Sequence, residues 1–186
     1  MFGVKPVFLF YSQSADVPAG KGAGETIDPA DDRYRELNTI PNWRRILSNF
    51  SQTADDTILF ELDDICWHSV EHYFHAQKFK KKDPAYYFSF ALDSESTLSR
   101  GDGATVKRAG RAVKLTAEEI RTWDNISADV LVRAQRAKFT QNSLSGRVLK
   151  LTAGATLTHR AGRFSPVVVE HRLMALRDEL IADGKI

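Results

Sequence analysis

The sequence predicts an α+β fold, mainly helical, in one domain spanning residues 1–186 with a few short strands. Three observations carry that expectation. Apolar residues recur at helical spacing in several segments that follow capping residues. Short runs of strand-like composition occur only near Val4–Tyr11 and Ile58–Trp67. A chain of 186 residues fits one domain and is long enough to bury roughly two-thirds of the surface that its unfolded form exposes, so a core needs no staples.

Val4 to Tyr11 is rich in Val and Phe and reads as a strand leading into the glycine-rich, exposed loop Ala19 to Glu25. Asp28-Pro29 starts a polar segment to about Leu37, and Pro41 starts a short helix with Trp43, Ile46 and Leu47, which exits at Ser48-Asn49-Phe50. Ile58 to Leu62 alternates, Asp63-Asp64 supplies a turn, and Ile65 to Trp67 returns as a second strand, so a hairpin is expected. From Ser69 the period changes: Val70, Tyr73, Phe74, Gln77 and Phe79 predict an amphipathic helix to about Lys81. Asp83-Pro84 caps a helix through Leu92, and Asp93 to Gly103 is a Ser-, Asp- and Gly-rich loop before a short helix, Ala104 to Ala112. Thr116 and Glu119 form a capping box, Ser127 caps a longer helix from Ala128 to Gln141, and further helices cover Leu144 to Leu151 and Val167 to Ile181. Within the longer helix Val130, Leu131, Ala134, Ala137 and Phe139 are the expected buried positions.

Composition excludes several classes. The single cysteine, Cys66, leaves no internal disulfide framework and no thiolate metal cluster, and fits a reducing compartment, the cytoplasm or nucleus. No stretch approaches the ~20 apolar residues of a membrane span, so a soluble, unanchored protein is expected. Lys plus Arg number 26 against 24 Asp plus Glu, too even a balance to argue nucleic-acid binding from bulk charge. Local charge is less even, with Lys78, Lys80, Lys81 and Lys82 in one cluster and Arg100, Lys107, Arg108, Arg111 and Lys114 in another. Either cluster suits phosphate or a solvated face.

The segment Trp67-His-Ser-Val-Glu-His-Tyr-Phe-His-Ala-Gln-Lys-Phe79 resembles the signature helix of the NADAR/YbiA-like family, W-x-S-x-E-H-Y-[FY]-Q-A-x-K-F. Only His75 departs from it, standing where the family usually has Gln. Phe10-Tyr-Ser12, Ser48-Asn-Phe50, Gly110-Arg111, Trp123-Asp124 and Ala137-Lys-Phe-Thr-Gln-Asn142 match in family order, so the resemblance covers most of the chain from Phe10 to about Leu157. The Gly20 to Glu25 stretch resembles a subgroup of the family. The tract from Thr158 to Val169, which includes His159 to Pro166, does not follow the family's Trp-Gly-x-Gly and Gly-x-Asn-x-Leu-Gly pattern.

Helix geometry alone places Glu71 and Lys78 on one face about 10 Å apart along the axis, with His75 between them. A carboxylate and an amine in one pocket suit glycosidic cleavage, in which an oxocarbenium-like centre needs nearby negative charge and water needs a base. Without the resemblance, such a pair is most often a solvated stripe. The resemblance implies a YbiA-like domain that cleaves N-glycosidic bonds without a cofactor, with Glu71 as first choice for the catalytic group. A desolvated lysine offers a Schiff-base route once the freed ribose opens to an aldehyde, and the candidates are Lys21, Lys78 and Lys138. Lys21 and Lys78 are assigned with Glu71 to catalysis. Lys138, four residues before Asn142, suits phosphate or carboxylate better than attack.

Trp67 and Trp123 are candidates for stacking on a base, Asn49 and Asn142 for reading its polar edge, Asp124 for orienting substrate and Arg111 for phosphate, with core packing the alternative for both tryptophans. Tyr11 joins this substrate-binding set on the Phe10-Tyr-Ser12 match. His68, His72 and His75 have spacing that invites a zinc site, but no further ligand is positioned by sequence and none is assigned. The implied substrate is ADP-ribosylated guanine in nucleic acid, and the alternatives are a phosphoribosylamino-pyrimidine intermediate of flavin biosynthesis or another small nucleotide-like molecule. A non-catalytic module that binds ADP-ribose or nucleic acid is the competing class. A structural interaction protein, presenting the helix from Val167 to Leu180, ranks last.

Overall fold

The computed structural model describes residues 4–53, 57–161 and 165–186. Mainly helical with a few short strands, it is the α+β architecture the sequence predicts. Its described residues fall into two compact units, one formed by those up to Ser48 together with those from Ser143 on, the other by those between Asn49 and Asn142.

The first unit holds a three-stranded sheet. Strand β1 (Val7–Phe10) pairs in parallel with β4 (Thr156–Arg160), which pairs antiparallel with β5 (Val167–Val169). Around it lie a 3-10 helix (Asp32–Thr39), α1 (Trp43–Leu47), α6 (Ser143–Leu151) and α7 (His171–Ala182). Phe8, Tyr34, Leu37, Trp43, Leu157 and Leu173 are fully or nearly fully buried, and the Phe8 ring meets Tyr34 and Trp43 edge-on. Arg177 of α7 closes the end of α6: its Nη1 donates to the carbonyls of Thr152 at 2.8 Å and Ala155 at 3.0 Å. Both carbonyls belong to the turn that follows α6, where the negative end of the helix dipole favours a cation.

The second unit begins with the expected hairpin, β2 (Phe60–Leu62) and β3 (Ile65–Trp67), in antiparallel register. Asp63 and Asp64 turn it with φ of 58° and 59°, the left-handed pair that a two-residue hairpin turn requires. Helices α2 (Val70–Ala76), α3 (Pro84–Phe88), α4 (Gly103–Ala112) and α5 (Ala117–Gln141) complete it. Its core gathers Trp67, Val70, Tyr73, Phe79, Phe90, Val106 and Ala134.

Several boundaries differ from expectation. Helix α2 stops at Ala76 rather than near Lys81, because the Phe79 N–H turns to the Ala76 carbonyl, three residues back, at 2.8 Å. Lys78 and Lys82, four apart, would repel along a continued helix. Helix α3 ends at Phe88, and the expected loop after it contains a 3-10 helix, Thr97–Arg100. Helix α5 runs unbroken through Ser127, whose hydroxyl bonds back to the Asp124 carbonyl instead of capping a new helix. Leu131 is only partly buried, while Gln135 and Lys138 are buried beside it in sequence. Val167–Val169 opens no helix. Three β-branched residues pair with β4, a strand the sequence reading did not identify, and α7 starts at His171. Of the divergent tract 158–169, residues 162–164 lie outside the described residues.

Candidate active site

Ser69 starts the site. Its hydroxyl accepts the His72 N–H at 3.3 Å and meets His72 Nδ1 at 2.8 Å, while the Glu71 N–H donates to the Asn49 carbonyl at 3.1 Å. These bonds fix the first turn of α2 and with it Glu71, which is 8 % exposed. One turn on, His75 Nε2 lies 2.9 Å from Glu71 Oε1. Beyond the end of α2, Lys78 Nζ lies 2.9 Å from His75 Nδ1 and donates to the Gly110 carbonyl at 3.4 Å. Glu71 and Lys78 are therefore joined through His75, although Lys78 stands outside the helix that was expected to carry it.

Gly110 makes this approach possible. A Cβ placed there would fall 2.2 Å from His75 Nδ1 and 2.7 Å from His75 Cβ, closer than packed atoms come. Replacing Gly110 with alanine gains about 1 kcal/mol of helix propensity but forces the ring aside in a filled core, which costs about 1–3 kcal/mol. Because the clash is larger, Gly110→Ala is expected to lower the urea midpoint and to break the His75–Lys78 contact. An unchanged midpoint with unchanged histidine NMR signals would count against this packing.

Burial sets the electrostatics. It pushes the His75 pKa below the ordinary value of 6.5, aided by the nearby charges of Lys78 and Arg111 and opposed by Glu71. His75 is thus neutral at pH 7, and its contact with Glu71 is a hydrogen bond rather than an ion pair. Burial and Arg111 likewise lower the Lys78 pKa from 10.5, against the pull of Glu71. His72, wholly buried, is lowered to about 4 by desolvation and then by His68.

Lys78 also edges a cavity of about 470 Å³, lined among others by Gln77, Lys81, Leu115, Trp123 and Ile126. Trp123, half-buried on α5, packs edge-on against Phe74 with ring centroids 4.9 Å apart, and Lys78 Nζ lies 5.4 Å from its ring. Trp123 thus lines the cavity with the Lys78 ammonium over its ring.

The other candidates are placed differently. Trp67 offers no stacking face: it is 0 % exposed, its indole N–H donates to the Leu62 carbonyl at 2.9 Å, and Tyr73 and Tyr87 pack against it. Core packing accounts for it. Asn49 uses its side-chain oxygen to accept from Gln135 at 3.0 Å as well as supporting Glu71 through its carbonyl. Arg111 is exposed on α4 but near enough to act on both His75 and Lys78. Asp124 is exposed within α5 rather than ahead of a helix. Lys138 is 1 % exposed, its ammonium 4.9 Å from the Phe139 ring, and burial lowers its pKa to about 7. Asn142 caps the end of α5.

Tyr11 and Lys21 belong to the first unit. The Tyr11 N–H donates to Ser14 Oγ at 2.9 Å, and Lys21 is exposed in the glycine-rich loop. That loop is fastened from below. Glu25 accepts the N–H groups of Gly20 and Gly22, both at 3.1 Å, and pairs with buried Arg44 through Nε at 2.6 Å and Nη2 at 2.5 Å. The sequence reading missed Glu25 and Arg44. It placed His75 between Glu71 and Lys78, as the structure does, but gave it no role, and its departure from the family's Gln was the signal for one.

His68, His72 and His75 do not converge. His68 Nδ1 meets Gln52 at 3.2 Å, His72 meets Ser69, and His75 meets Glu71 and Lys78. Among the described residues no group of three His, Cys, Asp or Glu side chains is arranged to hold a metal ion. No helix among them is long and apolar enough to cross a membrane.

The NMR structure of the E. coli protein YbiA is similar to this chain, with a TM-score of 0.58 and 22% identity over 97% of this chain and 88% of that one. At that identity the likeness is one of fold. No curated protein sequence matches the chain. The NADAR domain model matches residues 38–163, which take in α2, α4, α5 and every member of the Glu71–His75–Lys78 chain, and the protein belongs to the NADAR family.

Proposed function

We propose that this protein is an N-glycosidic bond hydrolase that removes ADP-ribose from ADP-ribosylated guanine bases in nucleic acid. Family membership supports the reaction class. The observation that carries the reading to residues is the shielded carboxylate of Glu71, hydrogen-bonded at 2.9 Å to a histidine that itself contacts Lys78. A carboxylate so placed suits both demands of the reaction. As the C1′–N bond breaks, its electron pair leaves with the base nitrogen, which takes up a proton, and the ribose centre becomes oxocarbenium-like. Negative charge beside that centre stabilises it, and the same carboxylate accepts a proton from attacking water. Arg111 is a cation suited to a diphosphate, and Trp123 to a flat ring.

The test is incubation of the purified protein with an ADP-ribosylated guanosine oligonucleotide and, separately, with phosphoribosylamino-pyrimidines. Release of ADP-ribose from the first is expected. Release only from the second would move the protein to small-molecule metabolism. Binding of ADP-ribose without release from either would make it a recognition module.

Lys78 gives a second expectation. With its pKa lowered by burial and Arg111, it passes from ammonium to amine below the ordinary lysine range as pH rises. An amine, not an ammonium, attacks an aldehyde. Borohydride trapping of an ADP-ribose adduct should therefore increase with pH through that transition and vanish in Lys78→Met. Trapping that persists in Lys78→Met would assign the adduct to another lysine, Lys21 first.

A further inference from the structure

We infer that His75 is a proton relay between Lys78 and Glu71, coupling the two groups to which the proposed reaction assigns chemistry. The inference rests on that reading of Glu71 and Lys78, but its geometry stands apart from any substrate.

A carboxylate can only accept hydrogen bonds, so the contact of 2.9 Å between Glu71 Oε1 and His75 Nε2 requires the proton on Nε2. Neutral imidazole then presents Nδ1 as an acceptor, and Lys78 Nζ stands 2.9 Å from it with a donor to give. The ammonium also donates to the Gly110 carbonyl at 3.4 Å. One tautomer satisfies every contact. In the relay, Lys78 Nζ gives one proton to Nδ1, His75 releases its own from Nε2, and Glu71 receives it. The electron pair left on Nζ makes a nucleophilic amine, and Glu71 passes its proton to the departing base nitrogen, which returns it to a carboxylate as the oxocarbenium-like centre forms and before water attacks. Charge and protons balance, and histidine ends as the other neutral tautomer.

The surroundings suit a relay better than a resident imidazolium. The charged and titratable groups acting at His75 are Glu71 and His72 on its own helix, Lys78 just beyond it and Arg111 from α4. From α5 the neighbouring contact is aromatic, Trp123 against Phe74, whose ring edges His75. Two cations and burial keep the ring neutral, while the carboxylate fixes its direction.

Glutamine separates relay from positioning. In His75→Gln the amide nitrogen can still donate to Glu71 and the amide oxygen can still accept from Lys78, but no proton can pass. We expect His75→Gln to keep KM and the urea midpoint while kcat falls on the order of 10²-fold and loses the pH dependence that Lys78 imposes. His75→Leu, which removes the contacts as well, should lower kcat and raise KM. Wild-type kcat and an unaltered pH profile in His75→Gln would overturn the relay.

A second readout needs no turnover. Nitrogen NMR of the histidine side chains should show His75 as the Nε2–H tautomer in the full-length protein. Its pKa should rise in Lys78→Met, where a nearby cation is lost, and fall further in Glu71→Gln. The Nδ1–H tautomer, or indifference to both substitutions, would also overturn the relay. If the wild-type protein turns over no substrate, the hydrolase reading fails, and the NMR result still decides whether the three groups are coupled.

Discussion

Glu71→Gln is expected to lower kcat for release of ADP-ribose by about 10²–10⁴-fold, the loss typical when a positioned acid or base is removed. The substitution is nearly isosteric and swaps a carboxylate oxygen for an amide. The remaining amide oxygen can still accept from His75 Nε2, so the fold should persist and thermal unfolding should stay within a few degrees of wild type. What disappears is the charge. Glu71 lies in the first turn of α2, where the positive end of the helix dipole favours a carboxylate, and its backbone is tied to Asn49. A glutamine there can neither stabilise an oxocarbenium-like centre nor take a proton from water. KM should change little, because ribose and phosphate contacts made by other groups survive. A variant that is folded and retains more than a tenth of wild-type kcat would remove Glu71 from the chemistry, and the shielded carboxylate would then be structural.

The same residue shows how far the sequence could be read. Glu71 and Lys78 stood seven apart in a segment with helical periodicity, and that spacing already put them on one side of the chain. The periodicity said nothing about where the helix stops. Phe79 keeps its apolar place in the core although its N–H has turned to a carbonyl three residues back, so a burial pattern continues past the end of the hydrogen-bond pattern. Lys78 therefore reaches Glu71 through a histidine rather than along a face. Trp67 failed as a stacking residue for a related reason. An aromatic residue at the end of a strand reads the same whether its ring faces a ligand or a core, and only tertiary packing separates the two.

Local signals were legible where the chemistry is local. Asp63-Asp64 between two short strands, Ser69 before α2, Asp83-Pro84 before α3 and the Thr116–Glu119 capping box all act within a few residues, and all appear as expected. Long-range pairings were not. Strand β4 alternates Thr and Leu weakly and becomes a strand because β1 and β5 lie on either side of it. Gly110 gave no sign that His75 would fill the space of its missing side chain, since that contact joins residues 35 positions apart. Ser127 looked like a cap because serine often is one. Within a helix free of Gly and Pro its hydroxyl simply bonds back to Asp124.

Breaking the Arg44–Glu25 pair should have the largest effect on stability. Glu25→Ala is expected to lower unfolding free energy by about 3–5 kcal/mol, the usual cost of leaving one member of a buried ion pair alone. The side chains are 2 % and 0 % exposed, so solvent does not screen the charge that remains. Glu25 also accepts the backbone N–H groups of Leu9, Gly20 and Gly22, which would lose a partner together. Arg44 would keep its bonds to the carbonyls of Val17 and Pro18, which satisfy donors but not charge. Against a typical domain stability of about 5–15 kcal/mol, such a loss brings the protein close to unfolding at 37 °C. The comparison that isolates the pair is a cycle in urea: Glu25→Leu, Arg44→Met and both together. The double variant should be more stable than either single one, because removing both charges removes the uncompensated one. Glu25→Gln should fall between wild type and Glu25→Ala, keeping acceptors for the loop without the charge. Single variants within 1 kcal/mol of wild type would mean that the arginine finds water on losing its partner. Function follows from the same bonds. They hold Gly20 and Gly22 on either side of Lys21, so a variant that stays folded with the pair broken should lose any adduct formed at Lys21 while sparing one formed at Lys78.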